Sequence, residues 1–222
     1  IDSKSEIRTC TTLISRRDGT TTEIVEEPPA VAHGTEELVL QAYREQLPRF
    51  DGVIIAGTVA PGYSDDIVPR MVGMAKEAGK MVVLDIKGND LLNSLKYRPD
   101  IFKPNFSEFL KTFLPDADQG EHELDPEHLD LVREKMLAIH SEYGSIPVIT
   151  AGSNPTLYIE DHVIRSMPVH RITPVNTIGS GDAFTAGLAS VYFSGGSISD
   201  AVARGQECGA LNARKILPGT IL

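Results

Sequence analysis

The chain has 222 residues, 41% of them hydrophobic, and a formal charge of −10 at pH 7. That is enough apolar material for a substantial core, in one large domain or a domain with a small appendage. The negative balance disfavours nucleic acid and anionic membrane as partners, since both need a cationic surface, so anionic ligands would have to be held locally.

In chain order, Ile7 to Ser15 and Thr21 to Glu26 are Thr- and Ile-rich and flank Arg16-Arg17-Asp18-Gly19-Thr20, whose Asp-Gly signals a hairpin. A helix is predicted from Thr35 to about Leu47, a buried strand over Gly52 to Ala56, and a helix over Asp65 to Ala78 that stops at Gly79. Met81 to Ile86 and Ile101 to Lys103 follow as strands, then a helix from about Phe106 and an acidic helix from Pro126 to Tyr143. Pro147 to Thr150 is a strand, Thr156 to Met167 a hairpin, and two helices, Asp182 to Phe193 and Ser199 to Ile216, close the chain. The alternation predicts an α/β fold with a doubly wound, mainly parallel sheet flanked by helices and a small β hairpin near the N-terminus. The two cysteines, Cys10 and Cys208, read as small apolar residues. With neither a secretory signal nor a membrane-long apolar run in view, a reducing cytoplasm is the expected location.

The segment Asn176-Thr177-Ile178-Gly179-Ser180-Gly181-Asp182 carries the chemistry. Gly179 and Gly181 allow a sharp turn and close backbone approach, and the first amides of the following helix have no intrahelical partners, so an anion is at home there. Asp182, in the first helical turn, is positioned to accept a proton from an attacking hydroxyl. The same stretch also reads as an ordinary loop with a carboxylate complementing the helix dipole. It lacks the Gly-Lys-Ser/Thr of a P-loop and the Gly-x-Gly-x-x-Gly of a dinucleotide fold.

This segment resembles the second signature of the PfkB carbohydrate kinases, Asp-Thr-x-Gly-Ala-Gly-Asp. Asn176 and Ser180 at its variable positions are similar to the branch that phosphorylates sugar phosphates, the 1-phosphofructokinases and tagatose-6-phosphate kinases. Three more blocks fall in the family's order: Ile55 to Gly62, resembling a strand end Ser-Gly-Ser-Leu-Pro-Pro-Gly; Val82 to Gly88, similar to a strand ending Asp-Ser/Thr-Ser-Gly; and Lys103-Pro104-Asn105-Phe106-Ser107-Glu108, similar to Lys-Pro-Asn-x-x-Glu. The resemblance covers nearly the whole chain and implies a ribokinase-like fold and ATP-dependent transfer to a sugar phosphate. Fructose 1-phosphate is the first expectation for acceptor, tagatose 6-phosphate or another sugar the second, and a non-catalytic nucleotide-binding module the reading from another class.

Thr58, Asp85, Asn105 and Gly152 each follow a predicted strand, so the motifs should converge at the carboxyl ends of the sheet. Asn105 and Glu108, three apart at a helix start, suit Mg²⁺ through waters, and equally suit a helix-capping box. The resemblance implies the catalytic set Gly179, Ser180, Gly181 and Asp182, with Lys103, Asn105, Thr150, Gly152, Asn154, Gln206, Gly209 and Ala210, and also Asn212, about the nucleotide. For the C-terminal four, packing of a helix around small residues is an equal reading. Thr150-Ala151-Gly152-Ser153-Asn154-Pro155 resembles the family's Ser/Thr-x-Gly-x-x-Gly nucleotide loop, with Pro155 where Gly is usual, which removes an amide. Arg8, beside Thr9, and Thr58 are the expected acceptor ligands, a guanidinium being suited to two phosphate oxygens at once. Lys87, where Ser is common, reads more readily as a surface lysine than as a phosphate ligand.

Residues 1–30 are thus expected to form part of a β lid, through which relatives suggest a homodimer, and 31–222 the α/β body. Relatives begin with a strand carrying a sugar-binding Asp and a Gly-Gly-x-x-x-Asn segment, and close with a further helix. The resemblance therefore implies a chain without the first strands.

Overall fold

The computed structural model describes residues 1–15, 17, 18, 20–117 and 126–221. The first two strands, β1 (Cys10–Ile14) and β2 (Thr21–Val25), pair antiparallel with Cys10 opposite Val25 and Ile14 opposite Thr21. Arg16 and Gly19 of the expected turn lie outside the described residues.

The body is a six-stranded mixed sheet of order β3-β4-β5-β6-β7-β8, where β3 is Gly52–Ala56, β4 Met81–Asp85, β5 Ile101–Phe102, β6 Ile146–Ala151, β7 Asn154–Glu160 and β8 Val163–Met167. β3 to β6 run parallel; β7 and β8 return antiparallel. Helices cover both faces, because β4 is apolar on both: Val82 and Leu84 belong to one buried cluster and Val83 to the other. The first cluster packs against α1 (Thr35–Gln46), α2 (Ile67–Glu77), α3 (Gly88–Ser94), α4 (Phe106–Phe113) and α5 (Pro126–Tyr143). The second packs against α6 (Ser180–Tyr192) and α7 (Ile198–Ala213).

Local chemistry sets the ends of these elements. α2 buries Val68, Val72 and Ala75 on one stripe. It stops where Gly79 takes a φ of 68° while the N–H of Lys80 donates to Ala75 O (2.9 Å) and that of Gly79 to Lys76 O (3.0 Å), a Schellman closure. Ser197 caps α7 by accepting from the Asp200 N–H. α6 and α7 cross closely because Gly187 leaves no room for a side chain: a Cβ there would lie 2.8 Å from both Arg204 O and Cys208 Sγ.

The structure departs from the expected elements in four places. β3, expected to be buried, is half-buried or exposed, with Ile54 42% exposed, because it is an edge strand of the sheet. Helix α3 was not anticipated; it has seven residues and buries only Leu91 and Ser94. β7 starts at Asn154, two residues early, because the Gly152 turn (φ 61°) lets the chain reverse at once. The register shifts between Ile149 and Ala151, and that irregularity accommodates Pro155, which has no amide to donate. α7 ends at Ala213 rather than Ile216, where the Ala213 carbonyl accepts instead from the N–H groups of Val175 (2.7 Å) and Asn176 (3.1 Å). Among the described residues no helix is long and apolar enough to cross a membrane.

Candidate active site

The carboxyl ends of β3, β4, β5 and β6 and the start of α6 enclose a cleft of about 370 Å³. Gly57 and Thr58 come from β3, Asp85, Ile86 and Lys87 from β4, Lys103 and Asn105 from β5, Thr150 from β6, Glu108 from α4, and Gly179, Gly181 and Asp182 from the turn into α6. The strands deliver these residues because they are parallel, so all four point their ends at one side.

On the cleft floor, Lys103 Nζ lies 3.2 Å from Asp85 Oδ2, with the lysine side chain only 4% exposed. A buried ammonium is tolerated only when it is paired, and Asp85 supplies the partner. Thr185 Oγ1 donates to the same Asp85 oxygen at 2.6 Å and lies 3.0 Å from Gly181 O. The β4 carboxylate is thereby tied to both the β5 lysine and the first turn of α6. Lys103 Nζ sits 5.7 Å from the centre of the Phe184 ring, and a Cβ on Gly181 would stand 3.8 Å from it.

The glycine turn is held from behind. Gly179, at the N-cap of α6, has a φ of 75°, which favours glycine, and a Cβ there would also meet Pro218 Cβ at 2.9 Å. The Asn176 side chain is buried; its Oδ1 accepts from Ile178 N (3.1 Å) and its Nδ2 donates to Ile216 O (2.9 Å). Asn212, fully buried, donates to Ile178 O (2.8 Å) and Ser180 Oγ (3.2 Å) and accepts from Gly219 N (2.8 Å). Two buried amides thus fix the turn from both sides. The first i to i−4 bond of the helix is made by Ala183 N to Gly179 O (2.9 Å), so the Gly181 and Asp182 amides precede the helical ladder at the cleft. Asp182 itself is exposed to the cleft.

At the rim, Asn105 and Glu108 form a full capping box: Glu108 N donates to Asn105 Oδ1 (2.8 Å) and Asn105 N to Glu108 Oε2 (3.0 Å). Lys87 Nζ donates to the other Glu108 oxygen at 3.0 Å. Burial raises the Glu108 pKa, but the Asn105 amide and Lys87 outweigh it and hold the carboxyl below its ordinary value. Lys87 is an exposed surface lysine, as the sequence suggested, paired at the rim with Glu108. Among the described residues no cluster of three or more His, Cys, Asp or Glu is arranged for a metal ion. One carboxylate with an amide oxygen beside it fits Mg²⁺ held largely through water and phosphate, the mode this ion prefers.

The remaining expected residues fall in four places. Gly152 and Asn154 lie on the β6–β7 turn, next along from Thr150; Asn154 lines a separate cavity of about 270 Å³ with Phe106, Leu129 and Leu157. Gln206 and Ala210 line a groove of about 520 Å³ between α7 and the chain after β8. Gln206 Nε2 also donates to Thr156 Oγ1 and Met167 O, both at 3.1 Å, and Gly209 brings α7 up to the Ser180 carbonyl, where a Cβ would be 3.1 Å away. Arg8 is exposed in the segment before β1 and is not among the residues lining the cleft. Asp85 was legible as a strand end, and Asn176 and Asn212 were named for other roles, while Thr185 and the hydrogen bonds by which the two asparagines hold the turn carried no motif signal.

A mixed sheet with a glycine turn, a carboxylate and a paired lysine at its carboxyl edge defines an α/β protein whose cleft has the groups suited to an anion. The model for the pfkB family carbohydrate kinases matches residues 1–221, and the chain belongs to that family. Among solved structures it is similar to a Thermotoga maritima protein described as a possible 1-phosphofructokinase (TM-score 0.76, 19% identity, covering 94% of this chain and 63% of that one). It is similar also to Escherichia coli phosphofructokinase-2 in complex with substrates and products (0.75, 16%, 92% and 64%). Anopheles gambiae adenosine kinase, in complex with a diadenosine tetraphosphate, is a third (0.73, 21%, 96% and 64%). The chain thus spans 63–64% of the length of these structures.

Proposed function

We propose that this chain carries the phosphoryl-transfer centre of an ATP-dependent sugar-phosphate kinase, with fructose 1-phosphate as acceptor and the 1,6-bisphosphate as product. The observation that supports it most is the meeting of Asp182, the Gly179–Gly181 turn and the Asp85–Lys103 pair on one cleft. In this reading the acceptor hydroxyl lies against Asp182, which takes its proton as the oxygen attacks the γ-phosphorus. The attack forms the new O–P bond and breaks the bond to the ADP oxygen, which departs with the electron pair. The Gly181 and Asp182 amides face the charge carried by the phosphoryl group in transit, and the turn needs no reorganisation because Asn176 and Asn212 hold it beforehand. Lys103 lies under the phosphates without closing the cleft, since Asp85, itself held by Thr185, pairs with it on the floor. Mg²⁺, when bound near Asn105 and Glu108, neutralises triphosphate charge.

The nucleotide would extend past Thr150, Gly152 and Asn154 toward the groove of Gln206, Gly209 and Ala210, and the acceptor toward Thr58, with Arg8 meeting its phosphate from the hairpin. The hairpin would be a lid and the site of self-association, separate from the body at 31–222. The test is an ADP-release assay of the natural protein with Mg-ATP, offering fructose 1-phosphate, fructose 6-phosphate, tagatose 6-phosphate and ribose side by side. Preference for fructose 1-phosphate is expected. Preference for another sugar keeps the kinase and moves the acceptor; nucleotide binding without turnover on any of them overturns the catalytic reading.

A further inference from the structure

At the far end of the sheet from the cleft, the last turns of α5 and the β7–β8 turn bring two imidazoles together. His140 Nε2 lies 3.1 Å from His162 Nδ1, with ring centres 5.1 Å apart and planes inclined by 52°. His140 Nδ1 is 3.0 Å from Ser145 O. A carbonyl oxygen only accepts, so Nδ1 of His140 carries the hydrogen and, in the neutral ring, its Nε2 presents a bare lone pair.

We infer that His140 and His162 form a binding site for a divalent transition metal of the imidazole-preferring class, with Zn²⁺ as its representative, clamping α5 to the β7–β8 hairpin. Three features support this. The bond from the other ring nitrogen to a backbone carbonyl is the outer-shell contact that fixes tautomer and orientation in metal-binding histidines. The two nitrogens, 3.1 Å apart in the hydrogen-bonded pair, already lie as close as two neighbouring ligands about 2.0–2.1 Å from one ion do, so only the His162 ring has to turn. And His162, with Asp161, holds a positive φ (60° and 51°) in a two-residue turn where Gly or Asn is the usual choice, so the turn itself does not call for an imidazole.

Without metal, Nδ1–H of His162 donates to His140 Nε2. On binding, Nδ1 gives up that hydrogen and Nε2, open to water, takes one, so the ring stays neutral and no net proton is released. The exposed His162 ring turns to aim its lone pair at the ion, and waters complete the shell. Hard Mg²⁺ prefers oxygen ligands and does not compete here. Neither histidine lines the cleft, so the site is independent of the proposed phosphoryl transfer.

The test is a ZnCl₂ titration by calorimetry of the metal-free full chain, with His162→Asn, His140→Asn and, as a control, His170→Asn. Asn tolerates a positive φ, so His162→Asn keeps the turn. One ion per wild-type chain is expected, with affinity lowered more than about tenfold in His162→Asn and His140→Asn, and unchanged in His170→Asn. Zn²⁺ should raise the wild-type melting temperature and leave that of His162→Asn where it was. Absence of binding to the wild type, or equal binding by wild type and His162→Asn, overturns the site.

Discussion

Asp182 and Glu108 are both acidic, both near a helix start and both on the cleft, yet their surroundings separate their roles. Glu108 spends its two oxygens on the Asn105 amide and Lys87, whereas Asp182 is exposed to the cleft at the mouth of the glycine turn. Replacing Asp182 by Asn keeps the shape and removes the proposed base. Turnover of the natural protein should fall about 10²- to 10⁴-fold while nucleotide binding, followed by fluorescence or calorimetry, survives. For Glu108 the consequence lies in stability. Its folded pKa is depressed below the ordinary 4.5, so its contribution is present above that pH and is lost as pH falls through the lower folded value. Glu108→Gln should therefore flatten the acid limb of the urea-midpoint profile below pH 4.5, and leave a shallower slope there than the wild type shows. Asp182 and its glycines were legible because a local motif carries them. The Asp85–Lys103–Thr185 set was not, because its partners are brought together across as many as 100 residues by β4, β5 and α6.

At the scale of elements, the strong signals were those with a local cause: the Gly79 stop of α2, the Asn105–Glu108 start of α4, and the buried run of β4. What the sequence concealed was a short piece whose stability comes from neighbours: α3 has seven residues, too few for periodicity to show, whereas β5, only two residues long, was legible from its apolar run. The α6–α7 crossing is another tertiary property, and it bears on the glycine turn because Asn212 of α7 reaches back to Ile178 and Ser180. Gly187→Ala tests that coupling. Its methyl would meet the Arg204 carbonyl, a backbone atom with little freedom, so overpacking outweighs the gain in helix propensity. A net loss of about 1–2 kcal/mol is expected, read as a thermal melt lowered by roughly 2–8 °C. Because the α7 clamp shifts with it, kcat should fall more than KM rises.

For the molecule as a whole, the division of apolar surface is uneven. The body buries two clusters, one on each sheet face, while the β1–β2 hairpin buries almost nothing: its residues are exposed or half-buried throughout. Register places Leu13 opposite Thr22 and Ile24 opposite Thr11, so both apolar side chains share one hairpin face, 53% and 57% exposed. A two-stranded hairpin is marginal alone, and an uncovered apolar face of this kind is stabilised by a partner surface. If the hairpin is the self-association site, a charge on that face must be costly to the assembly and harmless to the body. Ile24→Glu should then shift the light-scattering mass toward monomer at fixed concentration, with the melting of the α/β body unchanged. An unaltered mass distribution would separate the hairpin from assembly and leave it as a lid alone. Loss of body stability in the same variant would instead mean that the hairpin packs on the sheet, contrary to its exposure here.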